Sequence, residues 1–309
     1  MSHKIKICSY NCNSLRNSID IIRELLAEND ILLLQETLIF STDAEFISCI
    51  DHNFNFSISS CTRKLGIDSG RPIGGLITFW KKNLNSFLRP IVNSKNYIMM
   101  ELYGENLSYI LINCYLPCEN RSFDSLIAFK EILGEISSKI DNYEMSRIVI
   151  MGGMNTHPGR GTYWNELKCF VDDNNLNIVD LLQLPGNSFS FISSAHDSVT
   201  WLDHVIVSDI VSVTDIQIEY DKTCTDHLPI SCKLYFDVTP HTDSTRHSEV
   251  NSIKWDKLSQ NQCENYSQNL LDGMKSIIND YSELFTCSHL SSRTCESAMH
   301  RINLGISVF

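Results

Sequence analysis

The chain has 309 residues, 43% of them hydrophobic and 20% charged, with a net charge of −12. That length supports one large core or two modest ones. The acidity argues against broad adsorption to nucleic acid through many Lys/Arg–phosphate contacts, but it leaves room for an enzyme that meets phosphate through a bound divalent cation and a local basic rim.

In chain order, the run KIKICSYN at residues 4–11 reads as a strand. Residues 18–28 read as an amphipathic helix, with Ile19, Ile22, Leu25 and Leu26 on one face. Ile31–Gln35 is a short apolar strand, and residues 75–81, 97–102 and 108–115 are three more strand candidates. Residues 123–140 place Leu126, Phe129, Ile132, Leu133 and Ile136 at helical spacing. Arg147–Met151 is a strand that ends in Gly152-Gly153, and a shorter helix is expected near 164–174. Strands follow at about 203–208, 214–220 and 228–236. Strands and helices mix without strict alternation, and many strand–strand steps are short. Largely antiparallel pairing follows, in an α+β fold with two sheets packed face to face and helices outside. We expect this compact domain to span residues 1–238, with a linker and partly helical tail over 239–309.

Twelve cysteines are scattered, with no Cys-x-x-Cys pair and no zinc spacing. They read as small buried hydrophobes in a reducing compartment. No apolar run approaches the roughly 18–20 residues that span a bilayer, and MSHKIKIC has no h-region or cleavage site. The expectation is an intracellular protein, with the nucleus among the candidate locations and no membrane partner.

Polar residues gather at strand ends. Asn11 and Asn13 follow the first strand, Glu36 closes ILLLQ, Tyr115 ends SYILINCY, and Asn155 follows IVIMGG. Asp203 opens a strand, and Asp226-His227 precedes another. Taken singly, each has an ordinary explanation as a turn residue, a solvated charge or a loop hydrogen bond. Their order and local context together carry more. YNCNSLR, LLLQET, INCYLP, GGMNTH, TWLDHVIVS and TDHLPI occur in the order of the motifs of the endonuclease/exonuclease/phosphatase superfamily, which the chain resembles over roughly residues 4–236. GRPIGGLITFWKK (Gly70–Lys82) and AHDSVTWLDHVIVSD (Ala195–Asp209) look like the endonuclease domain of non-LTR (LINE-type) retrotransposon polyproteins. Residues 253–279 resemble the segment that joins that domain to a reverse transcriptase, so the chain reads as a stand-alone or truncated endonuclease piece.

The resemblance implies a four-layer α/β/β/α sandwich and Mg²⁺-dependent hydrolysis of DNA phosphodiesters, with Mn²⁺ as a substitute. Phosphodiester hydrolysis needs charge neutralisation at the non-bridging oxygens, an activated water and a stabilised leaving oxygen. By resemblance, Glu36 is the main metal ligand, assisted by Asn13, and Asn11 orients the site. Tyr115 touches the scissile phosphate or helps the leaving group. Asp226 orients His227, which contacts the phosphate. Asp203 stands near metal or catalytic water, and Asn155 holds the phosphate or the nucleophilic water.

One position departs from the pattern. Gly153 stands where the family motif has the aspartate that aligns or deprotonates the attacking water, and losing a general base lowers the rate by about 10²–10⁴-fold. His157 is a candidate surrogate, although its register points away. Trp201 either stacks on a base, as aromatics do on single strands, or packs beneath its loop. Arg63, Lys64, Arg71, Arg121 and Arg160 form a candidate phosphate-binding rim. The leading expectation is therefore an impaired retrotransposon-type endonuclease. The alternatives are a non-catalytic DNA-binding or interaction remnant and a phosphatase of the same superfamily.

Overall fold

The computed structural model describes residues 2–62, 72–104, 108–119, 123–143, 146–222 and 224–237. The expected linker and tail over 239–309 lie outside the described residues, as do Arg63, Lys64, Arg71 and Arg121 of the expected rim. The strands are β1 (Ser2–Asn11), β2 (Ile31–Gln35), β3 (Phe54–Ser59), β4 (Leu76–Lys81), β5 (Leu88–Asn93), β6 (Tyr97–Leu102), β7 (Tyr109–Tyr115), β8 (Arg147–Gly153), β9 (Asn177–Ile178), β10 (Phe191–Ser193), β11 (Ser198–Thr200), β12 (Asp203–Val207), β13 (Val213–Ile218) and β14 (Ile230–Asp237). The helices are α1 (Ile19–Glu28), α2 (Ala44–Ser48), α3 (Phe123–Ile140), α4 (Gly161–Asp173) and α5 (Val179–Gln183).

Two six-stranded sheets form the body, in the orders β13-β14-β1-β2-β4-β3 and β5-β6-β7-β8-β12-β9. Each sheet has one parallel pair, β1–β2 in the first and β7–β8 in the second, while the other pairs are antiparallel. Strand alternation divides the side chains into layers. Ile5, Ile7, Ile31 and Leu33 from the first sheet meet Tyr109, Leu111, Val149, Met151, Val205 and Val207 from the second in a central core. The intervening residues face outward. Cys8, Tyr10, Leu32 and Leu34 pack with Ile22, Leu25 and Leu26 of α1. Ile110, Ile112, Ile148 and Ile150 pack with Phe129, Ile132 and Leu133 of α3 and with Leu167 and Phe170 of α4.

This is the α/β/β/α sandwich expected from the sequence. Strands covered on both faces carry continuous apolar runs, which explains why ILLL and YILI show no alternation. Each such side chain contributes about 1.5–3 kcal/mol by leaving water. The expectation of buried cysteines holds for only part of the described set, which includes buried Cys61. Cys8, Cys12, Cys114 and Cys232 are buried, and burial pushes the thiols of Cys12, Cys114 and Cys232 up to about 12. Cys49, Cys118, Cys169 and Cys224, however, are exposed.

At one end of the sandwich the central layer turns polar. Gln35 Nε2 donates to Ser9 Oγ at 3.0 Å and to Asn113 Oδ1 at 2.8 Å. Asn113 Nδ2 in turn donates to the carbonyls of Leu34 and Ile77 at 3.2 and 3.0 Å. Buried amides are tolerated only when so bonded, and here they tie the two sheets together directly beneath the next row of inward side chains.

Candidate active site

That next row holds most of the residues expected at the site. In the second sheet, Tyr115 pairs with Gly153 and Gly153 pairs with Asp203, so three adjacent strands bring these residues abreast. In the first sheet, Asn11 stands level with Gln35, and Glu36 follows. Glu36, Asn13 and Asn155 all take left-handed backbone conformations, with φ of 50°, 44° and 52°. Asn adopts this region readily and Glu does not, so Glu36 is held there by its surroundings. The amides of Thr37 and Leu38 bond to the carbonyls of Gly75 and Gly74, which fixes the chain immediately after it.

The side chains form one connected network. Asn11 Oδ1 accepts from the Asn13 amide at 3.2 Å, which turns Asn11 Nδ2 towards Glu36 Oε1 at 3.0 Å and His227 Nε2 at 3.4 Å. Tyr115 donates its hydroxyl to the same Glu36 oxygen at 2.5 Å. Burial, and then the neighbouring Glu36 charge, raises the phenol's pKa well above its ordinary value, so Tyr115 stays a proton donor. Asn155 Nδ2 donates to the Leu116 carbonyl at 2.6 Å, one residue beyond Tyr115. The turn residue Asn96 grips the Tyr115 backbone from both sides, accepting from its N–H at 2.8 Å and donating to its carbonyl at 3.0 Å.

The support of His227 differs from expectation. Its Nδ1 lies 2.8 Å from Asp203 Oδ2, so Asp203, not Asp226, orients the ring. Asp226 is exposed, its carbonyl accepts from Ile192 N, and its carboxylate acts on His227 only through its charge. The reason is topological. Asp226 precedes His227 in a loop and points outward, whereas Asp203 is an inward residue of β12 that faces the ring across the sheet interface. Burial disfavours the charged imidazole, but Asp203, aided by Asp226 and Glu36, outweighs it and raises the pKa above the ordinary value. Asp203 is fixed in turn by Ser190, whose hydroxyl donates to Oδ2 at 2.7 Å while accepting from the amides of Leu202 and Asp203. Sequence reading missed Ser190 and Asn96, since a loop serine or asparagine carries no distinguishing pattern.

Gly153 lies at the centre of this row. A Cβ built there would stand 3.3 Å from the Tyr115 ring and 3.5 Å from Asp203 Oδ1, and its φ is not positive. A side chain at this position would therefore project into the network after a small shift of the tyrosine. His157 does not occupy that place. Its Nδ1 lies 3.5 Å from the Trp201 amide, and burial together with Arg160 lowers its pKa. Trp201 is buried and stacks on His204 at 6.1 Å, so of its two readings the packing one holds. Arg160 is exposed at the start of α4.

Among the described residues no group of three or more His, Cys, Asp or Glu side chains could hold a metal ion. The donor set at the network's edge is one carboxylate, Glu36, and Asn13 is joined to it through Asn11, which accepts from the Asn13 amide and donates to Glu36.

Comparison with known proteins gives the family and the fold. The family model described as Endonuclease/Exonuclease/phosphatase family matches residues 8–227. No curated protein sequence matches the chain. Solved structures share the fold at low identity. The AP endonuclease LMAP from Leishmania major is 16% identical with a TM-score of 0.64, over 76% of this chain and 88% of that one. The 3′ phosphatase NExo from Neisseria, solved with product DNA hairpin, is 14% identical with a TM-score of 0.59, over 76% and 100%. The endonuclease domain of TRAS1, a telomere-specific non-LTR retrotransposon, is 10% identical with a TM-score of 0.56, over 76% and 99%.

Proposed function

Because the chain belongs to the endonuclease/exonuclease/phosphatase family, we propose that it is a DNA phosphodiesterase domain of the non-LTR retrotransposon type, impaired by Gly153. The observation that carries this reading is the polar cluster in which Asp203 holds His227 while Glu36 accepts from both Asn11 and Tyr115, with a glycine at its centre.

The donors present suit Mg²⁺, which takes oxygen ligands and keeps several waters, so that one or two carboxylates suffice. Glu36 and Asn13 would hold it, and when bound it would neutralise the non-bridging phosphate oxygens. Mn²⁺ has the same donor preference. Asp203 fixes the His227 ring through Nδ1 and leaves Nε2 to face the phosphate. Because the pKa of His227 is raised, the protonated ring that can donate there is favoured. Tyr115, kept protonated, offers a hydrogen bond to the leaving oxygen. Asn155, locked to Leu116 O, stands beside Tyr115 to hold phosphate or water. The missing function is orientation and deprotonation of the attacking water, which neither Gly153 nor His157 supplies.

The test is nicking of supercoiled plasmid with Mg²⁺. Gly153→Asp is expected to nick, and adding Glu36→Ala is expected to abolish it. Absence of nicking by Gly153→Asp would sink the endonuclease assignment. Phosphate release from inositol or lipid phosphates in its place would move the reading to a phosphatase of the same family. Gly153 also supports a second reading, a non-catalytic DNA-binding remnant, which requires the native chain to bind duplex DNA and Gly153→Asp to gain no cleavage.

A further inference from the structure

Immediately behind the catalytic row lies a second histidine–aspartate pair that faces the other way. His204 follows Asp203 on β12, so its side chain leaves the opposite face of the sheet. Both His204 and Asp180 are fully buried. His204 Nδ1 lies 2.7 Å from Asp180 Oδ2, and Nε2 lies 3.3 Å from the Thr156 carbonyl. A carboxylate and a carbonyl can only accept, so bonding at both ring nitrogens requires the doubly protonated, cationic ring. Two indoles flank it, Trp201 stacked at 6.1 Å and Trp164 tilted at 6.2 Å, and aromatic faces attract a desolvated cation. Asp180 uses its other oxygen to accept from Val205 N at 2.8 Å. His204 thus joins three segments: β12, which carries Asp203; α5, which carries Asp180; and the turn after β8, in which Thr156 directly follows Asn155.

We infer that His204 is a positioning residue, a buried imidazolium that fastens the Asn155 turn to β12 and so sets where Asn155 stands relative to Tyr115 and Asp203. The consequence for catalysis rests on the phosphodiesterase reading above, whereas the clamp itself does not. The charged or titratable groups that act on the ring are Asp180 from α5, Asp203 from the other face of its own strand and His157 from the turn after β8, while α4 contributes Trp164. Burial opposes the charge and Asp180 outweighs it, so the ring holds its proton more tightly than an ordinary histidine.

The experiment uses the native chain first. Its ¹⁵N–¹H spectrum at pH 7 is expected to show His204 with both ring N–H groups and a scalar coupling from Nε2 to the Thr156 carbonyl carbon. A ring with a single N–H overturns the inference. Next, His204→Phe keeps a ring between the two indoles but removes both bonds. Hydrogen exchange at the Asn155 carboxamide is expected to accelerate while the β1–β2 amides keep their protection. In the Gly153→Asp background the same change is expected to lower kcat by about 10–10²-fold, with KM within about twofold. Unchanged Asn155 exchange in a folded His204→Phe chain overturns the inference. His204→Gln provides a second variant, and collapse of both also overturns it, because the residue would then hold the fold and not the site. Failure of Gly153→Asp alone to nick sinks the phosphodiesterase reading and leaves the Asn155 exchange test standing.

Discussion

The two faces of β8 end in adjacent glycines that answer to different constraints. On the outward face Gly152 has φ +145°, and a Cβ there would lie 1.9 Å from the Cys114 carbonyl oxygen. On the inward face Gly153 has φ outside the left-handed region, and its Cβ would lie nearest the edge of the Tyr115 ring and one oxygen of Asp203. The fold demands the first glycine, because β7 and β8 approach too closely there for any side chain. At the second no backbone atom stands in the way, and a side chain needs only a small shift of the Tyr115 ring. The inner rim therefore lacks a side chain at a position where the backbone permits one and where the surrounding polar network converges.

The largest expected effect breaks the outer glycine. Gly152→Ala combines a strained φ with backbone overlap, each worth about 1–3 kcal/mol. The urea midpoint should fall steeply, or soluble protein should fail to appear. A midpoint close to that of the native chain would show that β7 and β8 can separate at this point.

Gly153→Ala should change stability by less than about 1 kcal/mol, as expected for a substitution without backbone strain, and should give no nicking. A collapse comparable to that of Gly152→Ala would erase the contrast between the two faces.

A third pair of variants concerns the orientation of His227. Asp203→Asn removes the buried carboxylate on Nδ1, so the ring's pKa should drop from its raised position in an NMR titration. Asp226→Asn, which removes an exposed charge, should shift it less. The reverse order would return Asp226 to the supporting role that the sequence suggested.

The smallest effect is a pH dependence of stability. The folded-state pKa of His204 is raised above 6.5. The contribution of its pair with Asp180 is therefore complete below that pH and is lost as pH rises through the folded value. The unfolding midpoint of the native chain should decline on the alkaline side more than that of His204→Phe. Parallel curves would place the proton elsewhere.

Much of the fold was legible because buried strands announce themselves. ILLLQ, YILINCY and RIVIM were located from apolar runs and their abrupt polar ends, and the spacing from Leu126 to Ile136 gave α3. Short or half-exposed elements were not found. The edge strands β3 and β5, the β10–β11 hairpin and the short α2 and α5 run for at most six residues, too few to establish a period, and β5 contains Pro90 at a register shift. The residues expected at the site were chosen from motif context at strand ends, and the structure brings Asn11, Glu36, Tyr115, Asp203 and His227 together. Their pairing was not legible. Whether Asp203 or Asp226 supports His227 depends on which strand faces the ring across the interface, and the role that resemblance gave to Asp226 falls to Asp203. His204 drew no notice in the sequence, and only the packing of Asp180, Thr156 and two tryptophans around it gives it a role.

The central claim is that a single missing carboxylate separates this chain from a working phosphodiesterase. Plasmid nicking by the native chain and by Gly153→Asp, at equal protein and Mg²⁺ concentrations, tests it most directly. The account predicts that the variant is faster by about 10²-fold or more. Equal rates in the two proteins would contradict it.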